Sequence, residues 1–383
     1  MMTYPQLVAL ERSLRDERVL SVYLHGAVDD PAARLVWRTE LDRSLRDLRR
    51  WLLGSPHEER EAFERSVETL GAMLAPYASG LSSPGWAGFI TGETVHDAER
   101  LPVPMPTMAI WSNGMCIAPY IRALKVTRPV IVGVVDSRVA HIYRFHLGEL
   151  DPVSTIHAHA AIGETAHMGD APIAGFHPGV RGETARDAVQ RAHATGTERM
   201  LREAELVVAR HAAVDAGILV GGNPRVAARF RRALARAVSD RVLQLHTLHA
   251  DATPAEIMAA AKTGASALRD AADLRRIDEI LGLDTNRGAA AVGPDATLRS
   301  LSRLTVRELY LTPRYLEDHM AEAEEAVRQA LDQGASVEQV SGAAAAALDQ
   351  HGGMAAWLRY RAVGVPAGGS ADVPNAVASR GAE

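Results

Sequence analysis

One cysteine, Cys116, in 383 residues excludes an internal disulfide and any multi-cysteine metal site. It is read as a small buried apolar residue rather than a reactive thiol. No apolar run approaches the roughly eighteen residues of a membrane span. The opening MMTYPQLVALERSLRDER has neither the basic start nor the apolar block of a signal peptide, so the cytoplasm is the expected location. His157, His159, His167, His177, His246 and His249 have no partner set of Cys, His or acidic residues at zinc spacing, and no metal is expected. Gly221-Gly222 lies between a strand-like and a helix-like run, but no Lys-Ser/Thr follows and Asn223-Pro224 accounts for the turn. A nucleotide site is not expected there. No Ser-His-Asp or paired-carboxylate arrangement follows from spacing, and no cofactor is expected.

What the chain does have is core material. It is 47% apolar and 23% charged, enough for two or three domains. The pattern divides into α/β blocks, with boundaries expected at 1–126, 127–265 and 266–363 and a disordered Gly/Ala/Pro/Ser-rich tail at 364–383. The first block holds the strands VLSVYL and WAGFITG, helices near Arg34 to Leu53 and Glu58 to Leu74, and the segment PTMAIWSNGMCIA. The third has strands near Val306 to Thr312 and Ser336 to Val340, separated by one long helix beginning near Arg314 and closed by a helical or strand segment through Tyr360.

The middle block carries most of the functional signal. Val130 to Val135 and Val139 to Phe145 flank Asp136-Ser137 and predict a hairpin. The loop FHPGVRGET, Phe176 to Thr184, follows, and Thr184 with Asp187 has capping-box form, which predicts a long helix from about Ala185 to His211. In NPRVAARFRRALARAVSDRV, Asn223 and Pro224 predict a helix start. Arg225, Arg229, Arg232 and Arg236 then share one face beside an apolar face of Val226, Phe230, Ala233 and Ala237. That face suits phosphate, although solvated arginine faces of this kind are common and a net charge of −5 neither requires nor forbids nucleic acid. Near the N-terminus Trp37, Leu41, Leu45, Leu48 and Leu52 form a core stripe. Arg43, Arg46 and Arg50 interleave with Asp42 and Asp47, which predicts surface pairing rather than RNA binding.

These residues resemble a family. The third block, with Asp278-Glu279, then Gly293, Thr297, Leu298 and Leu301, then Val306 to Leu311, is similar to the C-terminal domain of archaeal and eukaryotic class-1 peptide-chain release factors, and LRYR at Leu358 resembles its closing segment. The second block, from Val130 to GILVGGNPRVAARF, is similar to their middle domain, and the first matches in layout. The chain looks like one of the bacterial relatives, a group that includes the hibernation factor Balon. The resemblance implies a three-domain α/β architecture with a mixed sheet and long helix in the middle and a C-terminal α/β/α sandwich.

In that family the middle-domain loop carries Gly-Gly-Gln, which helps water attack the peptidyl-tRNA ester. Aligning Arg181-Gly182 with the Arg-Gly that opens the motif puts Glu183 at the second glycine and Thr184 at the glutamine. A carboxylate beside an ester surrounded by phosphate is repelled, and a β-branched residue stiffens the backbone. Gln190 is the next glutamine, expected on a helix surface, and Asn-Ile-Lys-Ser, the stop-codon signature, is absent. The expectation is a ribosome-binding factor that occupies the A site as a hibernation or protective factor, with His177 and Arg181 to Thr184 near RNA. The alternatives are a peptidyl-tRNA hydrolase using Glu183 or Gln190, and an RNA- or protein-binding adaptor outside translation. The implied partners are the ribosome and its RNA, with peptidyl-tRNA and another translation factor beyond them. No membrane and no DNA partner is expected.

Overall fold

The computed structural model describes residues 1–26, 30, 33–158, 185–212, 216–238, 241–284 and 288–360. Three sheets organise it. The first has the antiparallel order β3-β2-β1-β4, built from β1 (Arg18–His25), β2 (Gly85–Thr91), β3 (Thr94–Leu101) and β4 (Met108–Asn113). Period-two alternation splits β1 between two cores. Leu20, Val22 and Leu24 pack under α2 (Val36–Trp51) and α3 (His57–Leu74), while Val19 and Tyr23 face the opposite side with α1 (Tyr4–Leu14) and α4 (Ala118–Val126). Both faces are covered, which is why VLSVYL reads as nearly continuous apolar sequence.

The middle sheet has order β7-β6-β5-β8-β9, from β5 (Val130–Val135), β6 (Val139–His146), β7 (Glu149–His157), β8 (Gly217–Gly222) and β9 (Val242–Gln244). β5 pairs antiparallel with β6 and parallel with β8. Ile131 and Val135 face α5 (Ala185–His211) and α6 (Pro224–Val238). Val130, Val132 and Val134 face the first half of α7 (Pro254–Asp284).

The third sheet, β10-β13-β11-β12, joins β10 (Ala290–Val292), β11 (Val306–Leu311), β12 (Ser336–Gln339) and β13 (Met354–Leu358), with α8 (Pro294–Ser302), α9 (Pro313–Asp318), α10 (Met320–Asp332) and α11 (Gly342–Asp349) around it. The second half of α7 and α11 cover one face. The other face shares a single apolar cluster with the first sheet, in which Leu309, Val327 and Leu331 join Leu7, Tyr23 and Tyr120. The first and third sheets are thus fused through one core.

The hairpin, the long helix from Ala185 and the arginine helix all form where the sequence predicts them. The closing segment is a strand, β13. The single long helix expected from Arg314 is instead two helices, because His319 leaves helical geometry at φ −134° and ψ 42°. The boundary drawn at 265/266 falls inside the continuous helix α7. The elements β3, β7, β10, α4 and α1 were not anticipated. The last is announced by Thr3 and Gln6, whose side-chain oxygen accepts the Thr3 N–H at 2.8 Å. The tail at 364–383 lies outside the described residues. No helix among the described residues is long and apolar enough to cross a membrane.

Candidate nucleic-acid interface

The candidate interface begins at the β5–β6 turn. Asp136 N–H donates to Val139 O at 2.8 Å and closes it. The Thr197 hydroxyl on α5 donates to the Ser137 carbonyl at 2.8 Å and to His193 O at 2.9 Å, fastening the helix to the hairpin tip. Beyond this point Met200, Leu201, Ala204 and Val208 bury one stripe of α5 in the sheet. Before it, residues 190–195 are exposed apart from half-buried Ala192. At 1.5 Å per residue, the stretch from Ala185 to Thr197 extends about 18 Å past its fastening.

The second element, α6, starts where β5 and β8 end. Gly222 has φ +108°, and a Cβ there would stand 2.1 Å from Val135 O, so the crossing needs glycine. Asn223 N–H donates to Val135 O at 2.8 Å, while its side-chain oxygen accepts from the Arg225 and Val226 N–H groups at 3.1 and 3.4 Å. This is the cap the sequence predicts. The buried stripe is Val226, Ala227, Phe230 and Leu234. Of the expected apolar face, Ala233 is half-buried and the Ala237 side chain lies outside the described residues. The larger Leu234 takes the place by the core because it lies one turn past Phe230.

Pro224–Val238 contains five arginines and no acidic residue. Arg225 and Arg232 are exposed, as is Arg231, which the four-residue stripe omitted. Arg229 is already paired, its Nη2 donating to Glu198 of α5 at 2.7 Å with 40% of its side chain exposed. The Arg236 side chain lies outside the described residues. Helical spacing puts Arg191, Glu198 and Arg202 of α5 on one stripe, so two further exposed arginines flank the Glu198–Arg229 bridge. The sequence reading missed them because the acidic residues of α5 dilute its charge. The two helices together offer guanidinium groups over a broad face, chemistry that suits phosphate oxygens.

Gln190 is exposed on the overhang. His177, Arg181, Gly182, Glu183 and Thr184 lie outside the described residues, as does the proposed Thr184 cap. His246 and His249 are exposed, and no cluster of three His, Cys, Asp or Glu side chains that could hold a metal occurs among the described residues. On α2 Arg50 pairs with Asp47 at 2.7 Å as expected, whereas Arg46 donates to the Asp42 backbone carbonyl at 3.2 Å. Cys116 is buried, with its thiol 3.4 Å from Glu324.

Residues 116–266, which span the middle sheet and its helices, match the family described as bacterial archaeo-eukaryotic release factor family 10. Over that stretch, which is less than half of the chain, the sequence is similar to archaeo-eukaryotic release factors of bacteria. Among solved structures, Dom34 of S. cerevisiae, described as a translation termination-like factor involved in RNA quality control and interacting with Hbs1, is 15% identical with a TM-score of 0.42. The match covers 62% of this chain and 66% of that one, so the chain spans just under two thirds of that relative. Ribosome-bound archaeal Pelota, solved with ABCE1, is 15% identical over 72% of this chain and 78% of its own, with a TM-score of 0.41. The archaeal termination factor aRF1 is 16% identical over 94% and 99%, with a TM-score of 0.25. No curated protein matches.

Proposed function

We propose that this chain is a ribosome-associated translation factor that occupies the A site and protects the ribosome without releasing a peptide. The observation that carries this reading is the middle unit. Its sequence matches a release-factor family, the start of its helix α5 is exposed, and α6 presents arginines with no acidic residue. Gly182-Glu183-Thr184 stands where the releasing tripeptide is expected, and a carboxylate there disfavours attack on an ester amid phosphates. In this reading the first sheet, joined to the third through one core, lies toward the decoding site. The partners are ribosomal RNA and, by analogy with the Hbs1 and ABCE1 associations of Dom34 and Pelota, another translation factor. The cytoplasm is the compartment this function requires.

The test mixes purified protein with vacant ribosomes and with ribosomes holding peptidyl-tRNA, then measures co-sedimentation and freed peptide in the same tubes. Binding to vacant ribosomes without release is the expected result, and absence of binding overturns the proposal. A second reading, peptidyl-tRNA hydrolysis in ribosome rescue, draws on the exposure of Gln190 on the overhang. Release of peptide that depends on Gln190 or Glu183 would replace the first reading with the second.

A further inference from the structure

The outward side of α6 concentrates charge of one sign. Pro224–Val238 holds five arginines and no acidic residue. Beside it, Gln190 to His211 of α5 carries four arginines against three glutamates, so the excess belongs to α6. Three of its arginines are exposed and carry no opposite charge. Arg225 and Arg231 make no ion pair or side-chain hydrogen bond among the described residues, and Arg232 donates only to its own helix, to the Ala228 carbonyl at 3.3 Å. Arg229 is already neutralised by Glu198 at 2.7 Å.

Spacing decides what such a face can hold. Arg225 and Arg232 are seven residues apart, which sets them on one side of the helix with about 10 Å between them along its axis. A single small anion cannot bridge that gap, whereas a nucleic-acid backbone presents a phosphate every few Å. Arg231 lies two residues past Arg229 and so turns to the flank away from the Glu198 bridge. The back of the helix is fixed, because Val226, Ala227, Phe230 and Leu234 are all buried in the sheet.

What the face lacks narrows the partner further. Apart from arginine, every residue of α6 is Pro, Val, Ala, Leu or Phe, so no amide or hydroxyl side chain is there to read a base edge. Its one aromatic ring, Phe230, is fully buried and cannot stack on an unpaired base. Single-stranded RNA is bound through splayed bases by such groups. An A-form duplex hides its base edges in a deep, narrow major groove and is recognised by its shape and backbone.

We infer that the outward side of α6 binds the sugar–phosphate backbone of double-helical RNA without reading its sequence, with Arg225 and Arg232 on separate phosphates and Arg231 at the flank. The choice of RNA over DNA rests on the ribosome association proposed above. The preference for a duplex over a single strand rests on α6 alone.

The experiment measures binding of the full chain, by fluorescence anisotropy, to a labelled blunt RNA duplex, a second duplex of unrelated sequence, each strand alone, and a DNA duplex of matching sequence. The two RNA duplexes should bind alike and about tenfold more tightly than the single strands. The Arg225→Gln/Arg232→Gln double variant should lose about tenfold in duplex affinity, and the slope of log affinity against log salt should fall by about 2, one unit for each phosphate released. Arg231→Gln should lose less. Arg50→Gln on α2, which also removes one exposed arginine, should leave affinity unchanged. All these side chains are at the surface, and the variants should melt with the native chain. Single strands bound as tightly as the duplexes, a clear difference between the two RNA sequences, tighter binding of the DNA duplex, or undiminished affinity in the double variant overturns the inference. Ribosome co-sedimentation of the same proteins keeps the two proposals apart. Ribosome binding with no preference for a duplex would remove this inference and leave the proposed function, whereas duplex binding with no ribosome association would remove the proposed function and leave the duplex preference standing.

Discussion

Glu324 on α10 accepts a hydrogen bond from the backbone N–H of Ala118 at 2.9 Å, joining the first residue of α4 to a carboxylate 206 positions away. The Ile117 N–H donates to the same carboxylate at 3.0 Å, and the group is buried with Arg328 nearby. A carboxylate at a helix N-terminus satisfies donors the helix cannot use itself and sits favourably in its dipole. Burial still outweighs the N–H donors and Arg328, so the Glu324 pKa lies above its ordinary 4.5.

Glu324→Ala strands two buried N–H groups and should cost about 3 kcal/mol, whereas Glu324→Gln keeps an acceptor and should cost less. Because the folded-state pKa is raised, the favourable contribution of protonated Glu324 is complete below pH 4.5 and is lost as pH rises through the folded value. Urea unfolding across pH should therefore show the advantage of the native protein over the Gln variant shrinking toward neutrality. An advantage that grows with pH would contradict this account.

Asp97 on β3 offers a second pH test. Burial first, then the charge of Glu99, raises its pKa to about 6, and its Oδ2 is buried without a partner. The same sign applies: its stabilising protonation is present below 3.8 and gone above about 6. Asp97→Asn should raise stability above pH 6 by about 1–2 kcal/mol and bring no gain below pH 4. Thermal melting at both pH values decides it.

On α6, Arg232→Glu and Arg225→Glu replace exposed cations and should weaken ribosome co-sedimentation. For every phosphate deprived of its arginine, the slope of log affinity against log salt should fall by about 1. Arg229→Glu should weaken binding further, because it also turns the Glu198 bridge into a repulsion. Unchanged binding in all three would return this face to ordinary solvated surface.

Glu183→Ala and Gln190→Ala separate the two functional readings. A protective factor keeps its ribosome occupancy and frees no peptide in either variant. A hydrolase loses at least tenfold in turnover in one of them while still binding, a loss that single-turnover peptide release would resolve.

The local chemistry of the middle unit was legible because each signal is short-range. Period-two valines around Asp136-Ser137 make the hairpin, and Asn223-Pro224 starts α6, since caps and turns are settled within four residues. The break at His319 was not legible. Thr312 caps the turn before it by accepting the Tyr315 N–H, and Tyr315 then stacks on His319 at 4.9 Å between ring centres, so the short α9 ends there. The pattern of apolar residues through α9 and α10 carries no mark of this.

The α/β alternation, the buried stripes of α2 and the arginine face of α6 are written in the order of residues, because periodicity and capping act between near neighbours. What those parts meet is set by the packing of the folded chain. Packing seats Glu324 on Ala118, fastens α5 to the hairpin through Thr197 and Ser137, commits Arg229 to Glu198, and gathers Arg269, Asp273 and Lys125 around one cleft. Burial and charge pairing across long stretches of chain depend on how whole sheets come together, and no local pattern records that.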